Sequence, residues 1–228
     1  MITIIVPFLN EETLLLPLGE NLRGLSGSPE LIFVDGGSSD RSVSIARRFG
    51  TVLSSPPGRA CQMNLAASVA TGDILLFLHA DCLLPRHALL DIERSLANPV
   101  LAGGCLTQVF RVSPSRSVFD WIAFGGNLRA RLTRSFFGDQ AIFCRRDLFH
   151  HLGGYPDIPI FEDLEFSRLL RTAGPTTVLG TPVFCSPRRW LTHGLVRTTL
   201  VDWRVHSGRS LGVPFSRLAR WYARIDAR

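Results

Sequence analysis

Three stretches of this 228-residue chain place acids where chemistry could use them: Asp35 in VDGGSSD, Asp81 in LLFLHADCLLP, and the pair Glu162 and Asp163 in FEDLEFSRLL. Asp35 and Asp81 each follow an apolar run, Leu31 to Val34 and Ile74 to Leu78, that reads as a buried strand bounded by turn residues. Ligands of open α/β sheets bind outside the carboxyl ends of the strands, so both acids are expected to face one crevice. A lone carboxylate there is costly unless a cation or a hydrogen-bond donor meets it. A nucleotide carrying a divalent metal ion would supply both. Glu162 and Asp163 open a helix, where the dipole favours acids. Adjacent helical side chains diverge by about 100°, so one of the two is expected to face a site and the other to turn away.

The elements that must hold these acids follow in order. Ile2 to Val6 is a β-branched run closed by Pro7, and Asn10, Glu11 and Glu12 open a helix through about Arg23. Leu31 to Val34, then Asp35 to Asp40, repeats the strand and turn, with Ser39 or Asp40 as N-cap of the next helix. A strand at Thr51 to Ser54, a helix from Arg59 to Ala70 and the strand Ile74 to Leu78 complete an alternating βα series, which predicts a mostly parallel sheet with right-handed crossovers. Beyond Asp81 the pattern changes. Arg86 to Leu96 reads as a helix, Ala102 to Arg111 as extended, Val118 to Leu132 as an amphipathic helix, Gln140 to Cys144 as a strand and Glu162 to Arg171 as a helix.

Composition sets the outer bounds. Hydrophobic content is 46% and no linker, repeat or low-complexity tract interrupts the chain, so one domain is expected. The formal charge is +6 and every cation is arginine, with no lysine at all. Arginine grips phosphate as a planar fork, which suits an anionic partner, although a compositional bias toward arginine gives the same count. The arginines are scattered and no nucleic-acid motif accompanies them, so nucleic acid is not expected as a partner. Five cysteines, widely separated and mostly in apolar surroundings, read as reduced core residues of a cytoplasmic protein. The N-terminus reads as a first strand and not a leader, and no apolar stretch approaches the roughly eighteen residues needed to span a bilayer.

Six motifs in order carry a resemblance that composition does not show. VPFLNEE, VDGGSSD, GDILLFLHADCLLP, GDQAIFCRR, FEDLEFSRLL and SPRRW resemble those of family 2 glycosyltransferases of the GT-A fold, over about residues 1 to 195. GRACQMN, Gly58 to Asn64, and the SPRRW ending are most similar to a small bacterial subgroup with no settled acceptor. The resemblance implies one α/β GT-A domain over residues 1–194, a mostly parallel nucleotide-binding sheet flanked by helices, with a C-terminal helical extension over 195–228. It implies a nucleotide-diphosphate sugar as donor, a UDP-sugar first. Pro7, Phe8, Leu9 and Glu11 would line the nucleobase and ribose pocket, and Asp35 would accept a hydrogen bond from the base. The residue's own alternative is an Asx-turn cap. Arg59 would sit near the nucleotide.

By the same resemblance His79, Ala80 and Asp81 stand for the DxD metal motif. Asp81 is its surviving carboxylate and would hold Mn²⁺ or Mg²⁺, hard ions that take oxygen ligands. His79 occupies the first Asp's place, as a second ligand or as a polar neighbour. Asp163 matches the general base of an inverting transfer. Asp139, Gln140, Glu162 and Trp190 would shape the donor-sugar and acceptor side. Arg188, Arg189 and Trp190 resemble the QxxRW element, whose arginine, Arg189 here, approaches the diphosphate. Ser186 replaces its glutamine, which favours transfer of a single sugar over processive synthesis.

Two other classes compete. A sugar-nucleotide nucleotidyltransferase needs a glycine-rich basic loop after the first strand, and Pro7 to Asn10 has neither feature. A NAD-type Rossmann enzyme needs GxGxxG at the same place, and it is absent. A non-catalytic sugar-nucleotide-binding module stays open because the DxD motif is altered. The tail after Leu195 interleaves Leu200, Trp203, Leu211, Phe215, Leu218, Trp221 and Tyr222 with Arg197, Arg204, Arg209, Arg217, Arg220, Arg224 and Arg228, and Gly212 to Pro214 splits it into two helices. Such a pattern suits either packing on the catalytic domain or a second copy of the chain, or peripheral contact with the inner membrane, where a lipid-linked acceptor would be found.

Overall fold

The computed structural model describes residues 1–112 and 117–223. Its strands are β1 Ile2–Phe8, β2 Glu30–Asp35, β3 Thr51–Ser54, β4 Ile74–Phe77, β5 Cys82–Leu83, β6 Gly103–Phe110, β7 Phe143–Arg145 and β8 Thr176–Cys185. They form one sheet in the order β3-β2-β1-β4-β7-β6-β8-β5. The βα series predicted from the N-terminal half is present, with β3, β2, β1 and β4 all parallel. The other half is mixed. β7 runs antiparallel to both β4 and β6, β6 is parallel to β8, and β5 is antiparallel to β8. The segment expected as a strand from Gln140 begins instead as a 3₁₀ turn, Gly138–Gln140, and Ala141 at φ 51° swings the chain into β7.

The helices are α1 Glu12–Arg23, α2 Ser42–Ala46, α3 Arg59–Val69, α4 Ala88–Leu96, α5 Ser117–Thr133, α6 Arg146–His151, α7 Glu162–Ala173, α8 Arg188–His193, α9 Leu195–Ser210 and α10 Phe215–Ala223. They cover both faces of the sheet, and strand alternation decides which face each apolar residue serves. Ile4, Val6, Phe8, Phe33 and Leu76 pack with Leu15, Leu18 and Ile92 of α1 and α4, whereas Ile5, Ile32, Val34, Leu75 and Phe77 pack with Met63, Phe149 and Phe166 of α3, α6 and α7. Burial on both faces is why these strands read as unbroken apolar runs.

Neither Ser39 nor Asp40 is the N-cap of α2. Arg41 holds that position, and the Asp40 carboxylate instead accepts the backbone N–H groups of Ser42 and Glu12. The tail folds as α9 and α10 around Gly212 (φ 76°) and Pro214. Val205 and Leu218 are buried against Phe161 and Leu164, so the apolar face of α10 packs on the catalytic domain. Arg224 and Arg228 lie outside the described residues. Among the described residues no helix is long and apolar enough to cross a membrane.

Candidate active site

The carboxyl ends of β1 and β2 lie side by side, with Phe8 opposite Asp35. Both oxygens of Asp35 accept the Ser38 N–H, at 2.9 and 3.2 Å, which is the Asx-turn use of the residue. Asn10, held at φ 53°, accepts the Ser39 N–H through Oδ1 at 2.9 Å and donates its own N–H to Ser38 Oγ at 2.9 Å. Beneath this turn the buried Gln62 amide donates to the carbonyls of Phe8 and Val34, at 3.0 and 2.8 Å. Two helical turns of α3 are thus fixed from both ends of the GRACQMN run. Gly58, at φ 146°, opens the helix, and Asn64 exchanges two hydrogen bonds with the backbone of Tyr155. Pro7 is buried, Phe8 points into the core, and Leu9 is exposed at the rim.

The second half of the edge is acidic. Asp163, in the first turn of α7, accepts the Gly138 N–H through Oδ2 and the Leu164 N–H through Oδ1, both at 2.7 Å. Gly138 also lies against His79. A Cβ there would come within 2.4 Å of the imidazole Nε2, so only glycine allows this approach. Asp139 accepts the Gln108 side-chain amide through Oδ2, while its Oδ1 is buried without a partner. Burial, and then the charges of Asp163 and Asp81, push Asp139 up to about 7. Burial raises Asp163 as well, and it raises Glu162 with help from Asp163.

Three arginines and a histidine border these acids. Partial desolvation opposes the charge of Arg59, an exposed residue, yet the carboxylates of Glu162, Asp163 and Asp81 raise its pKa overall. Both acids at the start of α7 thus act electrostatically on Arg59, while Asp163 alone of the two makes the hydrogen bond to Gly138. Arg129 lies 3.8 Å above the Phe137 ring and is held below the usual arginine range by burial, against the pull of Asp139 and Asp163. Arg188 grips Glu11 as a two-pronged fork and brings Nε to 3.8 Å from Asp81. Burial, then Arg59, lower His79 to about 4, which leaves the imidazole neutral near pH 7.

The structure thus brings together Arg59, His79, Asp81, Asp139, Glu162 and Asp163, and it packs Ala80 in the core. It turns others away. Arg189 pairs with Asp202 at 2.9 Å and lies under the Tyr222 ring, so Arg188 and not Arg189 borders the crevice. Trp190 stacks edge-on against Phe110 and Phe119, at 5.1 and 6.4 Å, and Gln140 is buried where it closes the 3₁₀ turn onto Phe137 and Asn127. Glu11 is occupied by Arg188. Sequence reasoning missed Gly138, Gln108 and Arg129. A glycine beside the Asp139 motif was the one visible signal.

Among the described residues no group of three or more potential metal ligands is preassembled. The residues nonetheless fit a hard divalent cation that arrives with phosphate. Among the described residues the Asp81 carboxylate makes only long contacts, 3.8 Å to Arg188 and 3.6 Å to the Cys82 thiol, and Asp139, which feels its charge, has an unpartnered buried Oδ1. Such ions ordinarily use one or two protein carboxylates and complete their shell with phosphate and water.

The chain's fold is similar to that of the mannosyltransferase PcManGT from Pyrobaculum calidifontis, solved with GDP-Man and Mn²⁺, at TM-score 0.70 and 22% identity, over 99% of this chain and 70% of that one. It is similar also to S. aureus TarS 1-349 in complex with UDP-GlcNAc, at TM-score 0.65 and 18% identity, over 82% of this chain and 58% of that one. No curated protein matches the chain. At these identities the structures establish the shared GT-A-type fold. The sequence model of glycosyl transferase family 2 matches residues 3–152, more than half of the chain. With that match over the sheet whose carboxyl edge carries the acid cluster, the chain belongs to glycosyl transferase family 2.

Proposed function

We propose that the chain transfers one hexosyl group from a nucleotide-diphosphate sugar, a UDP-sugar first, to an acceptor hydroxyl by a metal-dependent, inverting displacement. The observation that carries this reading is Asp163, a half-buried carboxylate of raised pKa oriented by two backbone N–H groups within a cluster bordered by arginines. The acceptor oxygen attacks the anomeric carbon opposite the leaving diphosphate and must lose its proton as it does so. Asp163 takes that proton, and a base whose pKa lies nearer the working pH does this more effectively. Arg59 and Arg188 face the growing charge of the diphosphate, in a site where fixed charges are little screened. Neutral His79 backs the Gly138 peptide, so the N–H that orients Asp163 is held in place. A divalent ion held by Asp81 supplies further positive charge to the leaving group when bound. The acceptor proposed is lipid-linked.

The test is a thermal-shift panel of UDP-, GDP- and TDP-sugars with and without Mn²⁺. A donor at about one hundred times its Kd stabilises the native state by about 2.7 kcal/mol. One donor is expected to stabilise the chain with Mn²⁺, and Asp81→Ala is expected to reduce that shift to its metal-free size. No shift with any donor would overturn the reading. An unchanged Mn²⁺ effect in Asp81→Ala would move the metal elsewhere.

A further inference from the structure

The outer faces of α5 and α9 are apolar in a molecule that has already buried both faces of its sheet. Trp121, Phe124, Leu128 and Leu132 of α5 are 72%, 57%, 43% and 75% exposed, and Val196, Leu200 and Trp203 of α9 are 72%, 60% and 72% exposed. Their spacings of three and four residues put each set on one side of its helix. Exposed tryptophan together with further exposed apolar residues on two helices is unusual for a free surface.

The inner sides of the same helices reach the acid cluster. Arg129 of α5 stacks on Phe137, and Phe137 in turn meets His206 of α9, ring centres 5.3 Å apart. Leu132 and Trp203 stand three residues from Arg129 and His206, so each apolar stripe borders the seam between the helices. Phe137 thus bridges the two helices next to Gly138, whose N–H is bound by Asp163.

The charge on these faces selects the occupant. Arg131, Arg197 and Arg204 are exposed beside the stripes, whereas Asp202 is paired inward with Arg189, leaving Asp120 as the exposed acid of α5 and α9. A second copy docking by twofold symmetry would set these arginines against one another. An anionic bilayer attracts them and accepts tryptophan and leucine at the headgroup boundary. We infer that the outer face of α5 and α9 is a membrane-docking surface that seats the chain on an anionic bilayer. Its use, presenting a lipid-linked hydroxyl to Asp163, rests on the proposed function. The docking itself does not.

The test is co-sedimentation of the full chain with phosphatidylcholine vesicles, with and without phosphatidylglycerol. The expected result is salt-sensitive binding to the anionic vesicles, with a blue shift of tryptophan fluorescence, and a loss of about tenfold or more in vesicle affinity for Trp121→Glu with Leu132→Glu. A cooperative urea-unfolding transition with the wild-type slope reports that this variant is folded. Trp203→Glu, on the other helix, is expected to weaken binding independently. Failure to bind anionic vesicles at low salt overturns the inference, as does binding that both variants leave unchanged. A vesicle-free dimer that Trp121→Glu dissociates overturns it too, in favour of a second copy. Vesicle binding without any donor-induced shift would keep the docking surface and remove the proposed function.

Discussion

The turn over β1 and β2 and the acid cluster after β4 lie on the same sheet edge, and they are built on opposite electrostatic plans. In the turn each polar side chain described has its donor or acceptor: Asp35 with Ser38, Asn10 with Ser38 and Ser39, Gln62 with two strand carbonyls. In the cluster Asp81, Asp139, Glu162 and Asp163 crowd one another, Asp139 keeps an orphaned oxygen, and the pKa values of Asp139, Glu162 and Asp163 are raised. Satisfied groups give a rigid surface that is ready before a ligand arrives. Crowded, shifted ones cost stability and hold a charge pattern that a cationic or proton-sharing ligand completes.

The contrast is broken most severely at Asp163. Replacement by Asn keeps the shape and an oxygen for the Gly138 N–H, so donor binding should persist while turnover falls by about 10²-fold or more. Single-turnover transfer with a saturating donor measures it, and near-normal turnover would remove Asp163 as the base. Gly138→Ala attacks the same feature from the other side. The new Cβ would meet His79, so the loop or the ring must shift, with a stability cost of about 1 to 3 kcal/mol. Adding His79→Ala should recover most of that cost in urea unfolding, and no recovery would mean that the collision is not what destabilises the single variant.

On the satisfied side, Gln62→Leu removes two buried hydrogen bonds, for a loss of about 1 to 3 kcal/mol in unfolding free energy. The pH midpoint of turnover should not move, because Gln62 contacts none of the acids. A moved midpoint would join the two regions that the comparison separates. The smallest effect is the pH dependence of stability. Asp139 has a native pKa of about 7 against an ordinary 3.8, so between those values the native state binds a proton that the unfolded chain has released. Its contribution is therefore present at low pH and is lost as pH rises from about 4 to 7. His79, lowered to about 4 from 6.5, acts with the opposite sign below 6.5. The difference between the wild type and Asp139→Asn isolates the aspartate, and parallel stability curves from pH 4 to 7 would contradict its shift.

Much of the fold was open to a reading of local pattern. β3 lies where its β-branched residues put it, the break at Gly212 to Pro214 is where it was expected, and α7 opens on its acids, whereas β1 does not stop at Pro7 but pairs with β2 as far as Phe8. These follow from periodicity and turn chemistry within a few residues of each feature. β5 and β8 were not legible. β5 has two residues, and β8 contains Gly180 and Pro182, so neither has a clean period, and both are strands because distant partners pair with them.

For the site, the residue types were set by the sequence, which placed acids at strand ends and in the first turn of a helix and so made a crevice with unpaired negative charge the natural reading. Only the tertiary structure decided which of them meet. Arg188 and Arg189 are neighbours in a short helix, and their directions differ by about 100°, so the packing of α8 gives one to Glu11 and Asp81 and the other to Asp202. Gln62 could have been a ligand by type, and the close approach of β1 and β2 makes it a brace. Trp203 and Trp221 share a tail of one composition, yet the α9 and α10 fold packs Trp221 against the domain and leaves Trp203 outside. Side-chain type and local period are written along the chain, whereas direction depends on what lies across a contact, and the contacts that settled it here join residues far apart in sequence.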